Sequence, residues 1–155
     1  MTRKAPAKVG ELSHAESGAW SGFVAAHAYL ARRLDEELRC DHGLSLAAYD
    51  VLVNLAHAPK QRLRMGDLAT AVHFSLGGVS KLVSRLEVDG LVTREQDETD
   101  GRGKVVGLTD AGLVKVRAAR ASHLASVRQL FLTHAAPDDL AMLGEFWRRV
   151  LRGDA

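Results

Sequence analysis

Several features that accompany catalytic, secreted or membrane-bound proteins are absent or scarce in this chain of 155 residues. Its one cysteine, Cys40, cannot form an intrachain disulfide, which fits a reducing compartment. No long apolar run occurs, and no apolar segment follows the basic first residues, so we expect neither a membrane span nor a signal peptide, and a cytoplasmic location. The chain also lacks a G-x-S-x-G motif, a phosphate-cradling loop and a paired His/carboxylate motif, so we predict no catalytic residues and no cofactor.

Aromatic residues and net charge are also low. Aromatics make up 5% of the chain, so aliphatic side chains must dominate the core. The formal net charge is only +2, which is too small to indicate nucleic-acid binding by bulk charge. Any interaction with DNA must therefore depend on the local arrangement of charges.

The chain does contain a clear succession of helical and strand patterns. Apolar spacing predicts helices over about 13–39, 45–57, 65–72, 75–88 and 109–134, and a last helix from Pro137. Two short strands, 91–93 and 105–108, enclose a charged, glycine-containing hairpin tip, and 60–64 reads as a basic connector. We expect a mainly α protein with a small β-hairpin wing: a flexible tail over 1–10, then a single domain over 11–152 with a winged helix-turn-helix core at about 45–110.

The helices that flank this core, about 12–39 and 111–152, carry long apolar stripes. In the first helix, the stripe includes Trp20, Phe23, His27, Leu30, Leu34 and Leu38. In the last helix, we expect the inward-facing residues to be Leu140, Leu143, Phe146, Trp147, Val150 and Leu151. So small a central unit cannot cover both stripes, and pairing of two subunits about a two-fold axis would bury them. We therefore predict a homodimer with flanking dimerisation helices.

The helix after Ser75 has the two faces expected of a helix that enters a DNA groove. The predicted inner face is apolar and consists of Leu76, Val79, Leu82, Val83 and Leu86. The residues predicted to contact DNA are small or cationic: Ser75, Gly77, Gly78, Ser80, Lys81 and Arg85. Lys81 can reach a guanine or a phosphate, and Arg85 a phosphate or an acidic partner within the fold. The glycine pair either has no functional consequence or allows the backbone of the helix to approach the DNA groove closely.

Charged residues around the hairpin supply the other predicted DNA contacts. Arg62 and Arg64 precede the small third helix and can bind backbone phosphates. Arg102 and Lys104 lie on the wing, where an arginine suits a narrow minor groove. The acidic residues Glu95, Asp97, Glu98 and Asp100 would repel DNA, so we expect them to face away or to pair internally.

Three stretches resemble the MarR (multiple antibiotic resistance regulator) family of bacterial transcription factors. They are GLSL with YDVL at 43–52, VSKLVSRLE with DGLVTR at 79–94, and DGR followed by Val106, Leu108-Thr109 and Gly112. The resemblance covers about 12–152 and implies a homodimer that binds a palindromic double-stranded operator. It also implies a repressor that is often released by a small aromatic acid or by oxidation. The double glycine departs from the usual family pattern and puts in doubt which bases are read.

The resemblance also implies an effector pocket between the dimer helices and the DNA-binding lobe. The best-placed polar or aromatic groups are Trp20, His27, Arg33, Tyr49 and His57, although each of them can also be a core or surface residue. Cys40 is the one candidate for thiol sensing. The nearby cations Arg39 and His42 would favour the reactive thiolate, whereas the carboxylate of Asp41 would disfavour it. A zinc site beginning at Cys40-x-His42 lacks a second ligand pair, so no metal is predicted.

Three functional hypotheses follow. The first is a dimeric DNA-binding regulator, with redox sensing through Cys40 as a variant of it. The second is a dimerisation module of an enzyme such as a methyltransferase, although no cofactor domain follows. The third is a winged-helix adaptor that binds protein instead of DNA, which would not need the cationic face and wing.

We predict that Arg102→Ala lowers the affinity for operator DNA with little effect on the stability of the fold, because an exposed wing arginine contacts DNA and not the core. A gel-shift titration with the protein's own upstream DNA measures the affinity. Unchanged affinity would refute the role of the wing.

Overall fold

The computed structural model describes residues 10–97 and 103–152. Its helices are α1 (His14–His42), α2 (Leu46–His57), α3 (Met65–Ala71), α4 (Leu76–Val88), α5 (Asp110–Leu130) and α6 (Pro137–Arg152). Its strands are β1 (Arg62–Arg64), β2 (Val92–Gln96) and β3 (Lys104–Leu108). The predicted order of helices and hairpin is confirmed, with β1 as an additional strand. The predicted tail over 1–10 lies almost wholly outside the described residues.

Short polar side chains start the helices at the predicted positions. Ser45, Ser75 and Thr109 each accept a hydrogen bond from the backbone N–H three residues ahead, at 3.0 to 3.2 Å. Each such bond satisfies one of the four N–H groups that a helix start leaves without an intrahelical partner. These caps fix where α2, α4 and α5 begin.

Two helix ends differ from the predicted ones. The helix α1 continues to His42, because Gly43 adopts a left-handed conformation (φ 64°) and its N–H donates to the carbonyl of Arg39. Asp41 and His42 are therefore the last residues of the helix, which extends three residues beyond its predicted end. The helix α5 ends at Leu130, and 132–134 forms a separate 3-10 turn.

The predicted basic connector contains β1, which joins the hairpin in a three-stranded antiparallel sheet of order β1-β3-β2. Leu63 pairs with Val106, while Arg62 and Arg64 on either side of it are exposed. A three-residue strand is too short to show an alternating pattern, which is why the sequence did not reveal it. The strand ties the entrance of α3 to the base of the hairpin.

The core lies where α2 crosses α3, α4 and the sheet. Its largest fully buried side chains are Val51, Leu52, Leu55, Leu68, Val79, Val83, Leu86 and Val106. Ala69, next to Leu68 on α3, is buried as well. The prediction for Leu76 is wrong: its side chain is 57% exposed, because the first turn of α4 extends beyond the core.

The outer helices bury little within one chain. In α1, only Leu38 is buried, and α6 has no buried residue. Phe23 and Trp147 join these helices through ring contact at 5.0 Å between centroids. The residues predicted to face inward on α6 are half-exposed or exposed in the single chain. No helix in the described ranges is both long and apolar enough to cross a membrane.

Among the described glycines, Gly112 packs most closely against neighbouring backbone. A Cβ at this position would lie 2.1 Å from the carbonyl oxygen of Leu91 and 2.7 Å from Cδ1 of Leu108. The same carbonyl accepts the N–H of Thr109, so the start of α5 is held directly against the residue that precedes β2.

We expect Gly112→Ala to lower the free energy of unfolding by about 1–3 kcal/mol, because the added methyl group meets backbone that cannot move aside freely. Gly18→Ala in α1 is the matched control, since a Cβ there meets no atom within 4 Å and the residue lies opposite the apolar stripe of that helix. Chemical denaturation followed by circular dichroism measures both. Equal stability of the two variants would contradict the packing role of Gly112.

Candidate nucleic-acid interface

The helix α4 presents a defined surface to solvent because its opposite face is locked in the core. Val79 and Val83 are fully buried, and Leu86 is almost so. Residues four, eight and eleven positions apart then share the outward side of the helix. This outward stripe consists of Gly77, Lys81, Arg85 and Val88, all of them exposed.

The two cations of the outward stripe have no ion-pair partner in the parts of the chain that the structure describes. Lys81 and Arg85 are one helical turn apart, so their charges lie on the same side of α4. They are therefore available to an external anion. The predicted contact residues Ser75 and Ser80 are placed differently: the Ser75 hydroxyl caps α4, and Ser80 is half-buried at the edge of the stripe.

Gly77 and Gly78, the predicted pair, differ in their surroundings. A Cβ on Gly78 would lie 3.2 Å from the Ser75 Oγ that caps the helix. A Cβ on Gly77 would meet no atom within 4 Å. Gly78 therefore faces the cap of α4 closely, whereas the space beside Gly77 is open.

Arg62 and Arg64, predicted as phosphate ligands, are engaged with carboxylates of the wing. Arg62 pairs with Glu95, and the Nε of Arg64 lies 2.7 Å from Oδ2 of Asp97. The Asp97 side chain is 8% exposed, so this pair is shielded from solvent on one side. Both arginines neutralise the wing and join β1 to the residues at the end of β2. Their role in phosphate binding stays a prediction. It requires each arginine to contact a DNA phosphate while it remains paired with its wing carboxylate.

The expected internal pairing of acidic wing residues is confirmed for Glu95 and Asp97. Glu98, Asp100 and the predicted DNA contact Arg102 lie outside the described residues. Lys104 begins β3 opposite Gln96 and is exposed, which fits its predicted place on the wing.

An ion pair between Glu87 on α4 and Arg94 on β2, which we call the brace, was not predicted from the sequence. The Nε of Arg94 donates to Oε2 of Glu87 at 2.8 Å, across the turn at Gly90. The hydrogen bond from Arg94 holds the pKa of the Glu87 carboxyl below its usual value. The only sequence signal was opposite charge seven residues apart, on either side of a glycine turn. The brace connects the end of α4 to the wing.

The five residues predicted to line an effector pocket do not come together. Trp20 and His27 lie on the exposed early part of α1 beside Phe23, and Arg33 pairs with Glu36 and Glu37. Tyr49 is only 4% exposed, and its ring packs on that of His123 with centroids 4.5 Å apart. Tyr49 is therefore a core residue. Burial raises the pKa of the Tyr49 hydroxyl and lowers that of His123.

His57, the fifth of these residues, does line a cavity of about 240 Å³ between α2 and α5. The lining residues are Val53, Ala56, His57, Gln61, Leu113, Val116, Arg117 and Arg120. Since Nδ1 of His57 contacts the Val53 carbonyl, which can only accept, this nitrogen carries the proton. Its Nε2 lies 3.5 Å from the guanidinium of Arg120. The cavity thus combines an apolar floor with two arginines that lack a carboxylate partner among the described residues.

Cys40 is exposed near the end of α1, and its role in thiol sensing stays a prediction. The neighbouring His42 is engaged elsewhere, with Nε2 2.7 Å from the Ser122 hydroxyl on α5. No group of three or more potential metal ligands occurs in the ranges that the structure covers.

Comparison with known proteins agrees with this geometry. The profile of the MarR family matches residues 42–103. Sco3205 of Streptomyces coelicolor, a MarR family transcriptional regulator solved in complex with DNA, is 35% identical; the match has a TM-score of 0.89 and covers 92% of this chain and 90% of that one. AbsC of the same organism, also a MarR family transcriptional regulator, is 36% identical with a TM-score of 0.86, over 92% and 98% of the two chains.

A third relative is an uncharacterized HTH-type transcriptional regulator of Bacillus cereus strain ATCC 10987. It is 30% identical over 107 residues, which are 69% of each chain. All three relatives are named as transcriptional regulators, which agrees with the expectation of a regulator and not of an enzyme. On the strength of these matches and of its winged helix-turn-helix, the chain belongs to the MarR family of transcriptional regulators.

Proposed function

We propose that the protein is a homodimeric repressor that binds a palindromic DNA operator in the cytoplasm and is released by a small organic acid. The observation that carries this proposal is the outward stripe of α4, where Lys81 and Arg85 have no ion-pair partner among the described residues, whereas Arg62, Arg64 and Arg94 around the wing are each paired with a carboxylate. A helix of this kind fits the DNA major groove, with the wing beside it. Occupancy of an operator is enough to exclude a polymerase.

The distribution of charge supports DNA binding through a few positioned cations and not through the overall net charge of the protein. Arg62, Arg64 and Arg94 each have a carboxylate partner, so their field is largely cancelled at a distance. The cations of the outward stripe are not cancelled in this way. A near-neutral protein can bind DNA if its few free charges lie where the phosphates pass.

The outer helices support the dimer. Exposed apolar side chains follow α1 and α6, and a groove of about 410 Å³ opens between α1, α5 and α6. The exposed set includes Trp20, Phe23, Val24, Tyr29, Phe131, Met142, Phe146, Val150 and Leu151. So much exposed apolar surface on neighbouring helices is typical of an interface. A two-fold dimer would place two copies of α4 about 34 Å apart, on successive turns of a palindromic site.

The cavity between α2 and α5 is the proposed effector site. Arg117 and Arg120 would bind a carboxylate, and the apolar side chains of Val53, Ala56 and Leu113 would cover a small ring. The cavity joins α2, which packs against α4, to α5, which joins the wing to the outer helices. A bound acid would therefore alter the spacing of the two copies of α4 in the dimer.

We expect Lys81→Ala and Arg85→Ala each to weaken DNA binding by roughly tenfold, and each to reduce the slope of log affinity against log salt by about one if the lost contact is to phosphate. The probe is a duplex selected by the wild-type protein from a random pool, and fluorescence anisotropy measures binding. Arg149→Ala on α6 is the control, because it removes the same charge elsewhere. Equal effects of the three substitutions would contradict a positioned interface.

Arg120→Ala should make the protein–DNA complex at least about tenfold less sensitive to an aromatic acid, because a charged hydrogen-bond partner of the carboxylate is lost. Benzoate is the probe, titrated against the preformed complex of each protein. Arg149→Ala again serves as control and should respond as the wild type does. Release at the same benzoate concentration from Arg120→Ala would exclude this cavity as the effector site.

A further inference from the structure

Gly77 stands at the start of the outward stripe of α4, where the fold gives no reason for a glycine. Its φ is not positive, and a Cβ built on it meets no atom within 4 Å. Glycine is less favourable in a helix than every residue except proline. Any small side chain would fit this position in the free protein and would favour the helix.

The neighbouring Gly78, in contrast, has close contacts within the fold. A Cβ on Gly78 would press on the Ser75 Oγ at 3.2 Å and approach Cδ1 of Phe74 at 3.8 Å. The space beside Gly78 is thus occupied by the cap at the start of α4. No such contact exists at Gly77, so the free protein has room for a side chain there.

Two exposed apolar residues lie just before this bare position in the chain. Leu76 is 57% exposed and Phe74 is 46% exposed, on either side of the Ser75 cap. Apolar side chains at a major-groove interface match the C5 methyl group of thymine, which is the apolar feature of that groove. A glycine between such side chains and Lys81 leaves room for a group that projects from a base edge.

We propose that Gly77 is a specificity-determining residue: the bare backbone of the first turn of α4 packs against a thymine methyl group in the major groove. The inference rests on the proposed DNA-binding function. A side chain at Gly77 would hold α4 away from the bases while leaving the free protein intact.

The test compares the full-length wild type with Gly77→Ala on the duplex that the wild type selects from a random pool. Gly77→Ala should bind about tenfold or more weakly, in the range of a mismatched base pair. Its melting temperature should equal or exceed that of the wild type, because alanine favours the helix. Gly18→Ala changes another helical glycine with open surroundings, on the side of α1 opposite its apolar stripe, and should match the wild type in DNA affinity.

A second arm uses duplexes in which each thymine in turn is replaced by deoxyuridine, which lacks only the methyl group. At the contacted thymine, the replacement should weaken the wild type and should weaken Gly77→Ala less, since the two methyl groups compete for one space. Wild-type affinity in Gly77→Ala would overturn the inference, and so would identical deoxyuridine effects in both proteins.

Lys81→Ala separates this inference from the function on which it rests. If the wild type selects no duplex, the proposed DNA-binding function fails. If Lys81→Ala weakens binding and Gly77→Ala does not, the function stands and only the inference about Gly77 fails.

Discussion

The packing of α4 on α2 is the constraint on which the rest of the structure depends. Val79, Val83 and Leu86 are almost completely excluded from solvent, so α4 cannot rotate about its axis without opening the core. The direction of every residue on its other side follows from that burial. Buried aliphatic side chains thus determine which cations a ligand meets, although none of them contacts the ligand.

Internal ion pairs then decide which charges remain available. The wing carries about as many acidic as basic residues, and a net count suggests little affinity for DNA. In the folded chain, Glu95, Asp97 and Glu87 are each held by an arginine of β1 or β2. These pairs stiffen the base of the wing and remove repulsive charge from the interface. The unpaired cations of α4 consequently matter more than their number implies.

Local signals in the sequence predicted the elements well where a single residue or a regular spacing carried the information. Ser45, Ser75 and Thr109 cap helices as expected, because a cap depends only on the next three residues. The strand β1 was missed because its three residues are too few to show alternation and its partner lies more than forty positions away in the sequence. Leu76 was placed inside because periodicity shows which side a residue faces and not where the core ends.

The sequence by itself determined the helix order, the hairpin, the family and the outward composition of α4, since these follow from periodicity, caps and short motifs. Only the tertiary structure decided what each polar group touches. Tyr49 moved from a candidate pocket into the core, and Arg117 and Arg120 joined His57 around a cavity. Arg62 and Arg64 found carboxylate partners on a distant strand. Contacts between residues far apart in the chain depend on how layers pack, and no local pattern records that geometry.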